Sequence, residues 1–318
     1  MNKITIQEPQ GDEMPVLRNI WENVFGNVGM DAFFRHYFSP GLSVTAEFEG
    51  TPAAMGFLVP FGEIVNGSKP SPCFMIYSVG TLPEYRGKGL GTFVIRKLIA
   101  RASDFNSPSV VLCPSEDGLF EYYSERTELR DYFYINELVF KTAPYSAKKT
   151  LPVEVSISEY KSLRENLLKD ITFIRHDLRA LEYQAELCKE LGGGLYKIEN
   201  SCAVIERQAD GAIWVKELLM PGLTPGDLSS DAYMKDIIAS IADKYPTDEY
   251  VVRFPSRTGE GRRFGMLTAR HGDGSYTRQE DGSSAKQGDG SRQETGSSAR
   301  QGEIKTDGPS PWYGVAFD

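Results

Sequence analysis

Apolar positions along the chain fall into two rhythms, and their alternation sets out the elements. Between 14 and 38, Val16, Leu17, Ile20, Val24 and Phe25 recur at helical spacing. A Gly-Asn break follows, and Phe33, Phe34, Tyr37 and Phe38 form a second helical stripe. Two β-type runs, 42–49 and 52–59, joined through Gly50 and Thr51, read as a hairpin. A Gly/Pro/Ser/Asn-rich loop is expected over 61–72, and then 73–79 is apolar and β-favouring, as in a buried strand. Phe93, Val94, Leu98 and Ile99, with Arg96, Lys97 and Arg101 between them, predict a helix that starts near Leu90 to Thr92. A short strand at 109–113, a helix at 119–126 and a β-rich run over 131–140 complete a first unit.

Residues 141–155 hold prolines and few apolar positions, so a domain boundary is placed there, dividing 1–145 from 146–318. The second part repeats the order of elements. Helices are expected at 157–168 and 174–191, strands at 195–207 and 212–219, a helix at 231–245, and strands at 250–254 and 264–269. The stretch 272–311 is Gly/Ser/Gln-rich, and its segment at 279–288 recurs at 293–302, a composition that cannot offset its ordering entropy. It reads as a disordered insertion. Trp312 to Phe317 regain strand character and are expected to pair with 264–269, which would make the insertion an expanded hairpin loop.

The chemistry concentrates where the strand at 73–79 meets the helix at 90. Between them lies Pro83-Glu84-Tyr85-Arg86-Gly87-Lys88-Gly89-Leu90-Gly91-Thr92. Glycines at 87, 89 and 91 let backbone N–H groups converge on one concavity, and the helix N-terminus adds unpaired donors and partial positive charge, an arrangement suited to a pyrophosphate. Arg86 and Lys88 put full charges at its rim. The spacing fits neither G-x-x-x-x-G-K-[ST] nor G-x-G-x-x-G. It does fit Arg-x-x-Gly-x-Gly at Arg86, Gly89 and Gly91.

That signature, after a strand and before a helix, resembles the acetyl-CoA site of the Gcn5-related N-acetyltransferases (GNAT). The resemblance implies a mixed α/β sheet of the acyl-CoA N-acyltransferase fold. Two such units in tandem resemble the first two domains of the Eis-type enzymes. The second unit lacks the signature, and Asp227 and Asp231 stand where a phosphate would meet the helix, so it reads as degenerate and without its own CoA. By the resemblance, Val79, Gly80 and Thr81 would align the pantetheine arm, and Arg86, Gly87, Lys88, Gly89, Leu90, Gly91 and Thr92 would hold the pyrophosphate. Tyr123 falls at the position of the family's tyrosine, which protonates the departing thiolate. Thr127 and Glu128 replace the glycine and phenylalanine usual after it, which makes Tyr122 the reserve. Candidates for the base are Glu63, Glu84, Asp318 and a water chain.

Composition narrows the partners. Thirty-five Lys and Arg against 44 Asp and Glu give a formal charge of −9, which argues against nucleic acid and weakly favours cationic substrates. The N-terminal residues carry no apolar targeting segment and no run is long enough to span a membrane, so a cytoplasmic protein without membrane association is expected. Cys73, Cys113, Cys188 and Cys202 form no C-x-x-C pair and read as reduced core residues. The three histidines are scattered, so no metal is expected. The expected activity is acetyl transfer from acetyl-CoA, as co-substrate, to a primary amine of a small molecule or peptide. The alternative is a non-catalytic acyl-CoA sensor or assembly module. Homo-oligomerisation is left open.

Overall fold

The computed structural model describes residues 4–7, 13–67, 69–105, 107, 109–146, 150–222, 229–256, 261–269 and 310–315. The first half contains β1 (Ile4–Gln7), α1 (Met14–Phe25), α2 (Met30–His36), β2 (Ser43–Phe48), β3 (Thr51–Asn66), β4 (Lys69–Thr81), α3 (Leu90–Ala102), β5 (Ser109–Leu112), α4 (Gly118–Arg126) and β6 (Arg130–Phe140). The second half contains β7 (Val153–Glu154), α5 (Ile157–Leu168), β8 (Phe173–His176), α6 (Leu178–Glu190), β9 (Gly194–Ile198), β10 (Ser201–Arg207), β11 (Ile213–Leu219), α7 (Ser229–Lys244), β12 (Tyr250–Pro255) and β13 (Arg262–Ala269).

Local chemistry accounts for the boundaries. Proline in the first turn of α1 presets the backbone where no N–H partner is required, and Gly26 at φ 77° ends the helix. Glu49 and Gly50, both at positive φ, make the tight turn between β2 and β3. Ser156 and Asp177 cap α5 and α6 by accepting from the N–H groups of Glu159 and Ala180.

The strands form one 13-stranded sheet in the order β1-β2-β3-β4-β5-β13-β6-β12-β11-β10-β9-β7, with β8 pairing to β3 off this path. The sheet thus runs through both halves without a break. β13 comes from the far end of the second half, yet it lies antiparallel between β5 and β6 of the first. One face is covered by α1, α2, α5 and α6 around a single apolar core that spans both halves, in which Phe33 of α2 meets Tyr183 of α6 with ring centres 6.1 Å apart. On the other face α3 and α4 cover the first half and α7 the second, each over its own core. Gly56 of β3 lets α3 settle closely, because a Cβ there would come within 2.8 Å of Val94.

Three expectations need correction. The loop over 61–72 is instead the tip of a long hairpin, where β3 runs to Asn66 and β4 begins at Lys69. Polar residues and Gly62 gave it a loop's composition, but Gly62 to Val65 pair on their other side with β8, and Phe61, Ile64 and Val65 are buried. The helix expected from 174 begins only at Leu178, since Phe173–His176 is the strand β8 itself. Among its described residues, 310–315, the terminal segment joins β8 and not β13. Trp312 pairs with β8, donating its N–H to Thr172 O at 2.8 Å and accepting from Ile174 N–H at 2.9 Å. The polar stretch 272–309 lies outside the described residues.

A buried carboxylate locks this terminal segment in place. Glu217 on β11, fully buried, accepts from Tyr160 Oη at 2.6 Å, from Arg164 Nε at 3.0 Å and from Trp312 Nε1 at 2.5 Å. Arg164 also donates from Nη1 to Ile174 O at 2.7 Å. A side chain at Gly314 would run into Arg164 and His176, so the segment can pass over this cluster only without a Cβ. Removing one partner of a buried ion pair strands the other. Glu217→Ala is therefore expected to lower folding stability by about 3–5 kcal/mol, measured by urea denaturation, whereas an exposed change such as Glu125→Ala should shift it by less than about 0.5 kcal/mol.

Candidate active site

The site begins with an interruption of strand pairing. β4 and β5 are parallel neighbours only over Cys73–Ile76 and Ser109–Leu112, and β5 then ends while β4 continues to Thr81. On its other edge β4 bulges, since its register against β3 jumps from Tyr77↔Phe57 to Gly80↔Met55, and Ser78 takes the left-handed φ of 48°. A non-glycine residue in that region costs energy and re-aims the backbone beside it. Ser78 and Val79 therefore sit where the strand is free of β5, at the open part of the sheet.

A cavity of about 640 Å³ passes through this opening, with Ser78, Val79, Cys113, Tyr123 and Trp21 among its lining residues. On one side it reaches α4. There Arg263 of β13 donates to Glu121 at 2.6 Å. On the other it runs between α1 and α6 to Glu206, Trp214, Lys216, Arg253 and Arg262, all from the second half. Cys113 donates its thiol to Phe264 O at 3.0 Å, tying the end of β5 to β13 at the cavity wall.

The glycine turn follows the strand directly. Gly87 and Gly89 have φ of 76° and 80°, and Gly89 caps α3 in the left-handed conformation. A Cβ built on either meets nothing within 4 Å, so the surface above the turn is open to a ligand. Phe93 N–H makes the first helical bond, to Gly89 O at 3.1 Å, and the N–H groups before it are the orphan donors of a helix start. Arg86 folds back to donate from Nε to Thr81 O at 3.3 Å. The Lys88 ammonium lies 4.7 Å from the Phe48 ring centre and donates to Glu84 O at 3.1 Å. Both charges are held at the rim of the turn. Gly80 packs against Val24 and Phe25 of α1. The open turn, positive φ and helix start suit a pyrophosphate.

The two tyrosines separate. Tyr123 is 8% exposed and lines the cavity, and burial, with smaller contributions from Tyr122 and Glu116, pushes its hydroxyl up to about 12. Tyr122 shares a 2.7 Å hydrogen bond with the Thr92 hydroxyl and lies under the Arg126 guanidinium at 4.4 Å, so it fastens α4 to the start of α3. Of the suggested bases, Glu63 pairs with Arg175 at 3.3 Å and Glu84 lies on the glycine turn, and neither lines the cavity. Asp318 is outside the described residues, as is Asp227 in the equivalent turn of the second half. Among the described residues no group of three His, Cys, Asp or Glu could hold a metal.

The second half's contribution to the wall was not foreseen. Arg253 interrupts the buried run Val251-Val252-Arg253-Phe254, and Lys216 does the same in Trp214-Val215-Lys216-Glu217. A charge in the middle of a fully buried strand was the available signal.

This order of elements, with a bulged fourth strand splayed from the fifth and a glycine turn opening the next helix, is the acyl-CoA N-acyltransferase fold. Residues 14–122 match the family model described as Acetyltransferase (GNAT) family. The chain superposes on a GCN5-related N-acetyltransferase from Kribbella flavida with 14% identity, covering 84% of this chain and 71% of that one at a TM-score of 0.60. A putative acetyltransferase from Pyrococcus horikoshii gives 14% identity, 84% and 90% coverage and a TM-score of 0.53. Eis1 from Mycobacterium abscessus gives 10%, 79% and 65%, with a TM-score of 0.50. No curated protein matches the chain in sequence. Among the described residues, no helix is long and apolar enough to cross a membrane.

Replacing Gly89 by valine puts a branched side chain at positive φ in the middle of the open turn. Calorimetry should show acetyl-CoA affinity falling about tenfold or more, with far-ultraviolet circular dichroism unchanged.

Proposed function

We propose that the protein is an acetyl-CoA-dependent N-acetyltransferase that transfers the acetyl group directly to a primary amine of a small molecule or peptide. The observation that carries this reading is the placement of Tyr123 and the bulged Ser78–Val79 backbone on one cavity that passes through the sheet. The thioester would lie along β4, its pyrophosphate on the glycine turn, and the amine would arrive from the side of α1 and α6.

Attack by the amine nitrogen on the thioester carbon forms the C–N bond. Collapse breaks the C–S bond, and Tyr123 gives its proton to the departing thiolate while the amine loses one to solvent. The product thiol has a free pKa of about 8.5, well below the Tyr123 hydroxyl raised to about 12, so the proton transfer is uphill and proximity and desolvation of the sulfur must drive it. A sensor would need the glycine turn but no cavity continuing past it to a second, polar wall. All four cysteines are free thiols, which supports a reducing compartment such as the cytoplasm.

Tyr123→Phe should lower kcat by about 100-fold while leaving acetyl-CoA affinity unchanged, measured by steady-state kinetics and calorimetry. The tyrosine must be protonated to act, so its contribution is present below its pKa and lost as pH rises through it. With that hydroxyl raised to about 12, kcat should show no alkaline decline attributable to it below about pH 10. Full activity in the Phe variant would remove Tyr123 from the mechanism.

A further inference from the structure

The cavity continues past the reacting centre, and its far wall has a chemistry of its own. Arg253, Arg262 and Lys216 line it. Arg253 and Arg262 share one carboxylate that does not line the cavity, since Glu137 accepts from Arg253 Nε at 2.9 Å and from Arg262 Nη1 at 3.0 Å. Two positive charges are thus set against one negative. Lys216 pairs with Glu206, 3.4 Å away, which also lines the wall. Arg263 lies on the opposite side, donating from Nη1 to Glu121 of α4 at 2.6 Å. The remaining lining carboxylates, Glu116 and Asp117, belong to the loop before α4, on the side of Tyr123.

The inner part of this wall, at Arg253 and Lys216, is dry. The side chains of Arg253 and Lys216 are each 4% exposed, and the Arg253 guanidinium lies 4.5 Å from the Trp214 ring centre and 5.4 Å from that of Phe264. Charges in such surroundings act on a ligand far more strongly than the same charges in water. Guanidinium groups fixed by a carboxylate behind them are pre-organised to meet a second carboxylate in front. Across from this wall the lip is apolar, where Phe25 and Val28 stay 46% and 56% exposed, and Leu187 of α6 and Leu191 at its end line the cavity beside them.

We infer that the wall built by Lys216, Arg253 and Arg262 is a subsite for the carboxylate of the acceptor, and that the acceptor is a small amino acid with an apolar side chain. Building on the acetyltransferase reading, the amine would face the thioester, the carboxylate the cationic wall, and the side chain the lip at Phe25 and Val28. A polycation would meet repulsion at the same wall.

The test compares leucine, isoamylamine (leucine without its carboxylate) and spermidine as acceptors, and measures binding of N-acetylleucine by calorimetry. It uses the wild type, Lys216→Met and Arg262→Gln, the last at a side chain 48% exposed that can change without disturbing the core. Acetyl-CoA affinity monitors folding. In the wild type, leucine should exceed both other acceptors in kcat/KM by about tenfold or more. In both variants that preference and N-acetylleucine affinity should fall together. Isoamylamine or spermidine matching leucine in the wild type would overturn the inference, as would wild-type protein that does not bind N-acetylleucine. A protein that acetylates none of the three, yet binds N-acetylleucine through Lys216 and Arg262, would keep the subsite and lose the acetyltransferase reading.

Discussion

Everything at the site depends on the brevity of one parallel pairing. β4 and β5 share only four residue pairs, and beyond them Ser78 and Val79 have no partner strand in the sheet. A strand in mid-sheet with unpaired N–H and C=O groups is costly unless something else satisfies them. Water or an extended ligand can do so. The bulge at Ser78 makes the arrangement permanent, because the left-handed φ there prevents β4 from returning to regular pairing with its neighbour. The position of α3 follows from the same strand, since β4 delivers the chain to the glycine turn and Gly56 of β3 admits the helix closely enough to fix it.

The second half completes the first. β13 fills the space between β5 and β6, and its Phe264 accepts the Cys113 thiol where β5 stops, so the end of β5 is defined by a residue about 150 positions away in sequence. The Glu217 cluster holds the terminal segment against β8, and β8 in turn pairs with the outer edge of β3. Tyr313 of that segment packs on Phe61, Phe133 and Phe264, joining both halves and β13 in one aromatic contact group. Replacing a buried ion pair by apolar groups is often neutral in stability, so what this cluster fixes is better described as register. Trp312 has one place to deliver its N–H, and the segment cannot slip by a residue.

The sequence made the first half legible because its signals were local. Helical stripes, the Glu49–Gly50 turn and the glycine signature each act within a few residues of where they are read. The errors arose where long-range pairing overrode local composition. The run 61–72 has the Gly, Pro and Ser content of a loop, but β8 gives Gly62 to Val65 a second pairing partner and the apolar residues between them a core to enter. Phe173 to His176 have no periodicity of their own and merged with the helix after them until Asp177 was seen to cap it. The pairing of Trp312 was misassigned for a related reason, because strand character in six residues says nothing about which edge they join. The distal wall of the cavity was invisible on principle, as its three cations lie on β11, β12 and β13, which only the long-range pairing of the sheet brings together.

Charge shows why the whole chain and the site can point in opposite directions. A formal charge of −9 is spread over the surface, where water and salt screen each group beyond a Debye length of about 8 Å. Arg253 and Lys216 act within a few ångströms, beside tryptophan and phenylalanine rings that exclude the solvent responsible for screening. Coulomb energy scales inversely with both distance and dielectric, so a guanidinium beside the ligand outweighs many distant carboxylates. The total charge therefore governs encounter and the lining governs retention. Acceptor chemistry is accordingly to be sought in the wall that the second half supplies.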